Sequence, residues 1–292
     1  MGTAGTHRFS SGGVVYAYRS WAFAPASAGP LILLHGFAQS AASWDAVAPA
    51  LAEAAKRPVY ALDLVGHGRS ERPDDPRAYR LGAQADALLA FARVLSVDAG
   101  RPPAVLGYSM GGRVALAAAA RDPRAFAVGA SALVLEAAGL GPATRAEREA
   151  AAERDAANAA RVRAEGVPAF MDAWERLPLF ATQCDLPPDV RAHVRAGRVA
   201  NDVEALARTF EYAGQHVMPD RDDVSAAFKA LHAHDVPVLY VAGGRDAKYC
   251  ALAASAAKEG ATACIVPGAG HNVHLEAPAV FAREVAAFLS AH

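Results

Sequence analysis

The chain has 292 residues, 53% of them hydrophobic, with 29 Lys and Arg against 30 Asp and Glu and a net charge of -1. So much apolar sequence excludes disorder and allows a sizeable core, and a neutral chain has no basic field to hold a nucleic-acid backbone. Lys stands only at 56, 229, 248 and 258; every other cation is Arg, whose planar fork grips carboxylates bidentately.

Short β-rich runs alternate with Ala- and Leu-rich helical stretches, the pattern of a mostly parallel sheet with helices on both faces. Strands are predicted at 14–20 (VVYAYRS), 30–35 (PLILLH), 58–64 (PVYALDL), 103–108 (PAVLGY), 130–136 (ASALVLE), 237–242 (PVLYVA) and 262–267 (TACIVP). Helices fall between or after them, near 44–55, 78–95, 111–121, 247–258 and 277–290, the last with Pro278 in its first turn. From Gly139 to His234 there is only polar helical sequence and an aromatic, Pro-interrupted piece, FMDAWERLPLF. So few apolar runs would bury little surface alone, which predicts a helical lid of residues 139–234 on a core of residues 1–138 and 235–292.

Three cysteines without C-x-x-C spacing suit neither a disulfide framework nor a zinc site, and no run reaches the roughly 18 apolar residues of a membrane span. The beginning, MGTAGTHRFS, lacks the charged and apolar regions of a signal peptide. The expectation is a cytoplasmic protein with no membrane span, no metal and no cofactor.

The strongest local signal is Gly107-Tyr108-Ser109-Met110-Gly111-Gly112, directly after a strand and directly before a helix. Such an elbow strains the serine and exposes its hydroxyl at the carboxyl edge of the sheet. A serine hydroxyl needs a base, and the base needs an orienting group. His271 follows the last strand in GAGHNVH, and Asp246 follows the preceding strand in VAGGRD. The order Ser109, Asp246, His271 is that of the α/β-hydrolase fold. His274 is a rival base, and Glu136 or, less well placed, Asp63 a rival acid. His35 and His67 precede the serine and suit loop support by hydrogen bonding. Oxyanion donors are expected from the backbone N–H of Met110 and, in LLHGFAQS, of Phe37. Arg113, four residues after Ser109 and so one helical turn on, would face the same pocket.

The runs GYSMGGRVALA, ALDLVGHGRS, LVLEAAG, AFMDAWERLPLF, GGRDAKYCALA and GAGHNVHLEAP resemble, over nearly the whole chain, the 2-succinyl-6-hydroxy-2,4-cyclohexadiene-1-carboxylate synthases, α/β-hydrolase-fold lyases of menaquinone biosynthesis. The specific marks are GGR after the serine, Trp174, Pro178 and Phe180 in the lid, and the segment around Asp246. The resemblance implies pyruvate elimination from a cyclohexene bearing a succinyl group, a ring carboxylate and an enolpyruvyl ether. It implies that Ser109 acts as a base, with the oxyanion hole holding an enolate. A small polycarboxylate would be held by Arg113, Arg148, Arg195 and Lys248, with Arg145 or Arg154 as alternatives to Arg148, and Trp174 and Tyr108 would line the pocket. Two other readings share the fold: a carboxylesterase or carbon–carbon bond hydrolase on the same triad, and a non-catalytic ligand receptor.

Overall fold

The computed structural model describes residues 4–24, 26 and 28–292. Eight strands form one sheet: β1 (Gly5–Ser11), β2 (Val14–Trp21), β3 (Leu31–Leu34), β4 (Val59–Leu62), β5 (Ala104–Tyr108), β6 (Ala132–Glu136), β7 (Val238–Gly243) and β8 (Thr262–Val266). Their order is β1-β2-β4-β3-β5-β6-β7-β8; β2 runs antiparallel to both its neighbours and every other pairing is parallel. The central strands read LILL, AVLGY, ALVLE and VLYVAG and are buried along their whole length, as expected of strands covered on both faces.

The sheet carries α1 (Ala48–Ala55) packed with α10 (Pro278–Ala291), while α2 (Leu81–Ala99), α3 (Met110–Arg121) and α4 (Pro123–Gly129) pack on one another, and α9 (Ala247–Lys258) lies on β7 and β8. Each of the seven predicted strands is present. The eighth, β1, was not predicted: its sequence GTHRFSS is mostly polar and exposed, and it becomes a strand by pairing with β2 in a hairpin. The turn is Gly12-Gly13, with φ of 57° and 78° at the two glycines, the tight-hairpin chemistry that SSGGVV carries.

Between β6 and β7 the described structure has helices and no strand: α5 (Arg145–Trp174), α6 (Pro188–Val199), α7 (Val203–Ala213) and α8 (Arg221–Ala233). α5 is two helices joined at Gly166, whose φ of 76° and ψ of 163° break the spiral two residues before Pro168. α5 and α7 close a second apolar cluster, with Val162, Phe170, Met171, Leu206 and Phe210 against Ala38 of the core. The last helix of the stretch, α8, packs instead on α3, α4 and β7, so residues 221–233 belong to the layer covering the sheet.

Candidate active site

Ser109 stands between β5 and α3 with φ 48° and ψ -102°, a conformation that side chains other than glycine's hydrogen rarely adopt. Its N–H donates to Glu136 O at 2.8 Å and its carbonyl accepts from Arg113 N at 3.2 Å, so the turn is fastened at both ends. The elbow closes only because side chains are missing: a Cβ on Gly107 would lie 2.5 Å from Gly112 N, and one on Gly111 would lie 2.3 Å from Leu34 O.

His271 Nδ1 lies 2.9 Å from Asp246 Oδ2, and its Nε2 lies 3.2 Å from Ser109 Oγ. A carboxylate only accepts, so the Nδ1 hydrogen is fixed toward Asp246 and the Nε2 lone pair faces the hydroxyl. Histidine and aspartate are both buried, and Asp246 Oδ1 also accepts from Tyr249 N at 3.3 Å.

The rival residues find other partners. Glu136 and His274 bond to each other at 2.7 Å, with Trp44 stacked on the imidazole at 4.0 Å between centroids. Asp63 accepts from Ala41 N at 2.6 Å and Arg69 N at 2.9 Å, and burial raises its pKa against those bonds. His35 Nε2 accepts from Leu64 N at 3.0 Å, so Nδ1 carries the hydrogen and donates to Gly36 O at 2.8 Å. Burial lowers His35 to about 4 and His67 to about 3, leaving both imidazoles neutral.

The His35 bond bears on the expected oxyanion donors. Gly36 O also accepts from Gln39 N at 3.2 Å, so the peptide that carries the Phe37 N–H is held by its carbonyl end. Among the described residues neither the Phe37 nor the Met110 N–H has an intramolecular acceptor.

A cavity of about 390 Å³ opens beside Ser109 and His271, within the usual range for small-molecule sites. Its apolar wall includes Phe37, Phe170, Trp174, Phe180 and Phe210, and Trp174 packs on Phe37 at 5.1 Å between centroids. Arg113, Lys248, Trp174 and Tyr108 line it as the sequence predicts. Arg113 is oriented by donating to Ala213 O at 2.9 Å; burial lowers its pKa, with Asp155 opposing. Burial and nearby Arg154 lower the pKa of Lys248.

Two expected cations do not reach the cavity. Arg148 bonds to the carbonyls of His216 and Met218 and to Asp220, tying the first turns of α5 to the segment that leads into α8. Arg154, the alternative six residues on, lines the cavity, whereas Arg145 is 90% exposed and paired with Glu149. Arg195 pairs with Asp172 and Glu175. Arg198, one turn further along α6, lines the cavity in its place, bonded to Glu175 at 3.1 Å and Gln183 at 3.0 Å and lying over Phe180. Arg161 was missed altogether. Its signal is the 4-then-3 spacing of Arg154, Asn158 and Arg161, one face of α5, and all three line the cavity.

Among the described residues no helix is long and apolar enough to cross a membrane, and no group of three or more His, Cys, Asp or Glu could hold a metal. Cys184, Cys250 and Cys264 are all free.

A serine on a strand-to-helix elbow, a histidine and an acid on later strand ends, and helices over them define the α/β-hydrolase class, and residues 31–284 match its family model, described as the alpha/beta hydrolase family. A putative 2-succinyl-6-hydroxy-2,4-cyclohexadiene-1-carboxylate synthase of Bacillus subtilis (strain 168) is 32% identical over 275 residues, 92% of this chain and 94% of that one. The synthase of that name from Enterobacter sp. (strain 638) is 32% identical over 263 residues, 89% of this chain and 91% of that one. The chain belongs to the 2-succinyl-6-hydroxy-2,4-cyclohexadiene-1-carboxylate synthase family. Two solved structures share the fold: MenH from S. aureus, with a TM-score of 0.81 at 24% identity over 94% of this chain and 98% of that one, and the enol-lactonase from Burkholderia xenovorans LB400, with a TM-score of 0.77 at 24% identity over 97% and 100%.

Proposed function

We propose that the protein is a cofactor-independent carbon–oxygen lyase. It would eliminate pyruvate from 2-succinyl-5-enolpyruvyl-6-hydroxy-3-cyclohexene-1-carboxylate to give the cyclohexadiene named in its family. The observation that carries this reading is charge convergence. In a chain of net charge -1, five cations (Arg113, Arg154, Arg161, Arg198 and Lys248) line the cavity that holds Ser109 and His271. The one acid in that lining, Asp155, is already bonded to Gln215 N at 2.8 Å and the His216 ring at 3.0 Å. An uncharged ester needs no such set; a substrate with several carboxylates does.

In this reading Ser109 removes the proton next to the succinyl ketone while passing its own to His271, which Asp246 holds in the required tautomer. The Phe37 and Met110 N–H groups stabilise the enolate oxygen. The electron pair then returns through the ring to expel the enolate of pyruvate, which takes the proton from His271. Every proton is returned and no electron is gained or lost, so the steps balance without a redox cofactor. Three free thiols fit a reducing cytoplasm, where we place the enzyme.

The same Ser109–His271 geometry also suits an acyl-enzyme, which makes a serine hydrolase the second reading. Incubation of the pure protein with the enolpyruvyl substrate, with pyruvate followed by coupled reduction to lactate, separates the two. Pyruvate release well above the uncatalysed rate is expected. No release would overturn the lyase reading, and an accumulating acyl-Ser109 would do so in favour of hydrolysis.

A further inference from the structure

The cavity wall carries a phenol, that of Tyr249, which the proton transfers above leave unused. Tyr249 is the third residue of α9, its N–H donating to the carboxylate of Asp246. Its ring packs on His271, with centroids 4.5 Å apart and planes at 55°, and Lys248 Nζ lies 5.4 Å from the ring centroid. The side chain is only 4% exposed, and what it exposes faces the cavity shared with Ser109 and Arg113. A ring in this place would by itself buttress His271, and phenylalanine would do that as well. The hydroxyl needs a separate account.

Among the described residues the Tyr249 hydroxyl has no intramolecular hydrogen-bond partner, whereas the phenol of Tyr240 nearby donates to Ala138 O at 2.5 Å. Its oxygen is not sealed off but opens on the cavity, where a ligand can supply the acceptor that the chain does not. Burial pushes the Tyr249 phenol up to about 12, with Arg113 pulling the other way, so it stays a donor throughout the working pH range. Arg113 spends one terminal nitrogen on Ala213 O, which leaves its other N–H groups for the cavity.

We propose that the Tyr249 hydroxyl is a specificity-determining donor which, with Arg113, holds one carboxylate of the substrate beside Ser109. This rests on the reading of the cavity as a polycarboxylate site and adds a neutral donor to its cations. A phenol on a short, rigid side chain adds a directed donor to the cations.

The test is Tyr249→Phe, which keeps the ring on His271 and deletes the hydroxyl. Titration calorimetry with citrate, a tricarboxylate probe, is expected to show affinity weakened about tenfold or more, the scale of a lost hydrogen bond to a charged group. Steady-state pyruvate release should lose kcat/KM by a similar factor, chiefly through KM, with the pH dependence of kcat unchanged. In Arg113→Ala the same hydroxyl deletion should cost clearly less, because the two donors share one acceptor. Equal citrate affinity in wild type and Tyr249→Phe would overturn the proposal, as would a loss confined to kcat with an altered pH profile, which would mark a buttress for His271. If the wild type releases no pyruvate yet binds citrate through Tyr249, the lyase reading fails and this inference stands. If the wild type releases pyruvate and Tyr249→Phe matches it in KM, the lyase reading stands and this inference fails.

Discussion

Glu136 accepts two hydrogen bonds from His274, one from the backbone N–H at 2.9 Å and one from ring Nδ1 at 2.7 Å. Both side chains are essentially unexposed, and they lie beside a second acid–histidine pair, Asp246 and His271, of almost the same geometry. What separates the pairs is reach, since only the His271 ring comes within hydrogen-bond distance of Ser109. The two pairs should therefore fail differently. Asp246→Asn is expected to lower kcat by about 10⁴ per folded molecule, because the imidazole loses its fixed tautomer. Glu136→Gln removes a charge from a buried pair and should cost about 3 kcal/mol of stability. Its activity per folded molecule should stay within tenfold of wild type; a 10³-fold loss there would mean that the pairs had been assigned in the wrong order.

The sequence shows both acids and both histidines at strand ends and in workable order, and one-dimensional order cannot say which ring turns toward the serine. Strands such as LILL and ALVLE are legible because burial on both faces demands an unbroken apolar run, whereas β1 is an edge strand whose polar residues leave no such trace. Of the expected lid residues Trp174 lines the cavity, while Arg148 and Arg195 were legible in kind and wrong in place. Arg195 and Arg198 lie one turn apart on α6, and residue type alone does not fix which of them looks inward once Glu175 is there to pair with both.

That phase has a direct consequence for activity. Arg154→Ala is expected to lower kcat/KM by about tenfold to a hundredfold, the range of one charge-assisted bond to substrate. Arg195→Ala, which loses only partly exposed pairs with Asp172 and Glu175, should stay within about threefold, since such pairs contribute at most about 1 kcal/mol. Pyruvate-release kinetics on the two variants decide the matter, and equal losses would contradict the placement of Arg195 outside the cavity.

Arg148 should act on folding rather than on substrate. Its guanidinium joins α5 to the carbonyls of His216 and Met218, and no other side chain is described as bonding those two oxygens. Arg148→Ala is expected to lower the thermal midpoint by several degrees with KM unchanged within twofold. An intact midpoint with a raised KM would return Arg148 to the substrate.

Strain at the elbow can be read from stability alone. Ser109 at φ 48° and ψ -102° lies where a side chain costs about 1–3 kcal/mol, and glycine's own entropic cost is about 0.5–1 kcal/mol. Ser109→Gly should therefore be more stable to urea than Ser109→Ala, although both lose the triad hydroxyl. The opposite order would show that the elbow is not strained.

Acid should weaken the fold through His35 and His67. Burial holds their folded pKa values near 4 and 3, below the ordinary 6.5, so the unfolded chain binds more protons than the folded one wherever the pH is under 6.5 and above those values. Stability then rises with pH across that window and levels off above it. Between pH 7 and pH 5 each histidine should remove about 2 kcal/mol, the slope approaching 1.36 kcal/mol per pH unit once the pH is well below 6.5. Protonation would also place a hydrogen on His35 Nε2, the atom that accepts from Leu64 N, and so loosen the loop that presents the Phe37 N–H. Urea unfolding of the wild type at pH 7 and pH 5 is expected to show the combined loss. His67→Gln, whatever its stability at pH 7, should lose about 2 kcal/mol less over the same interval. An unchanged pH dependence in His67→Gln would show that His67 is not held neutral by the fold.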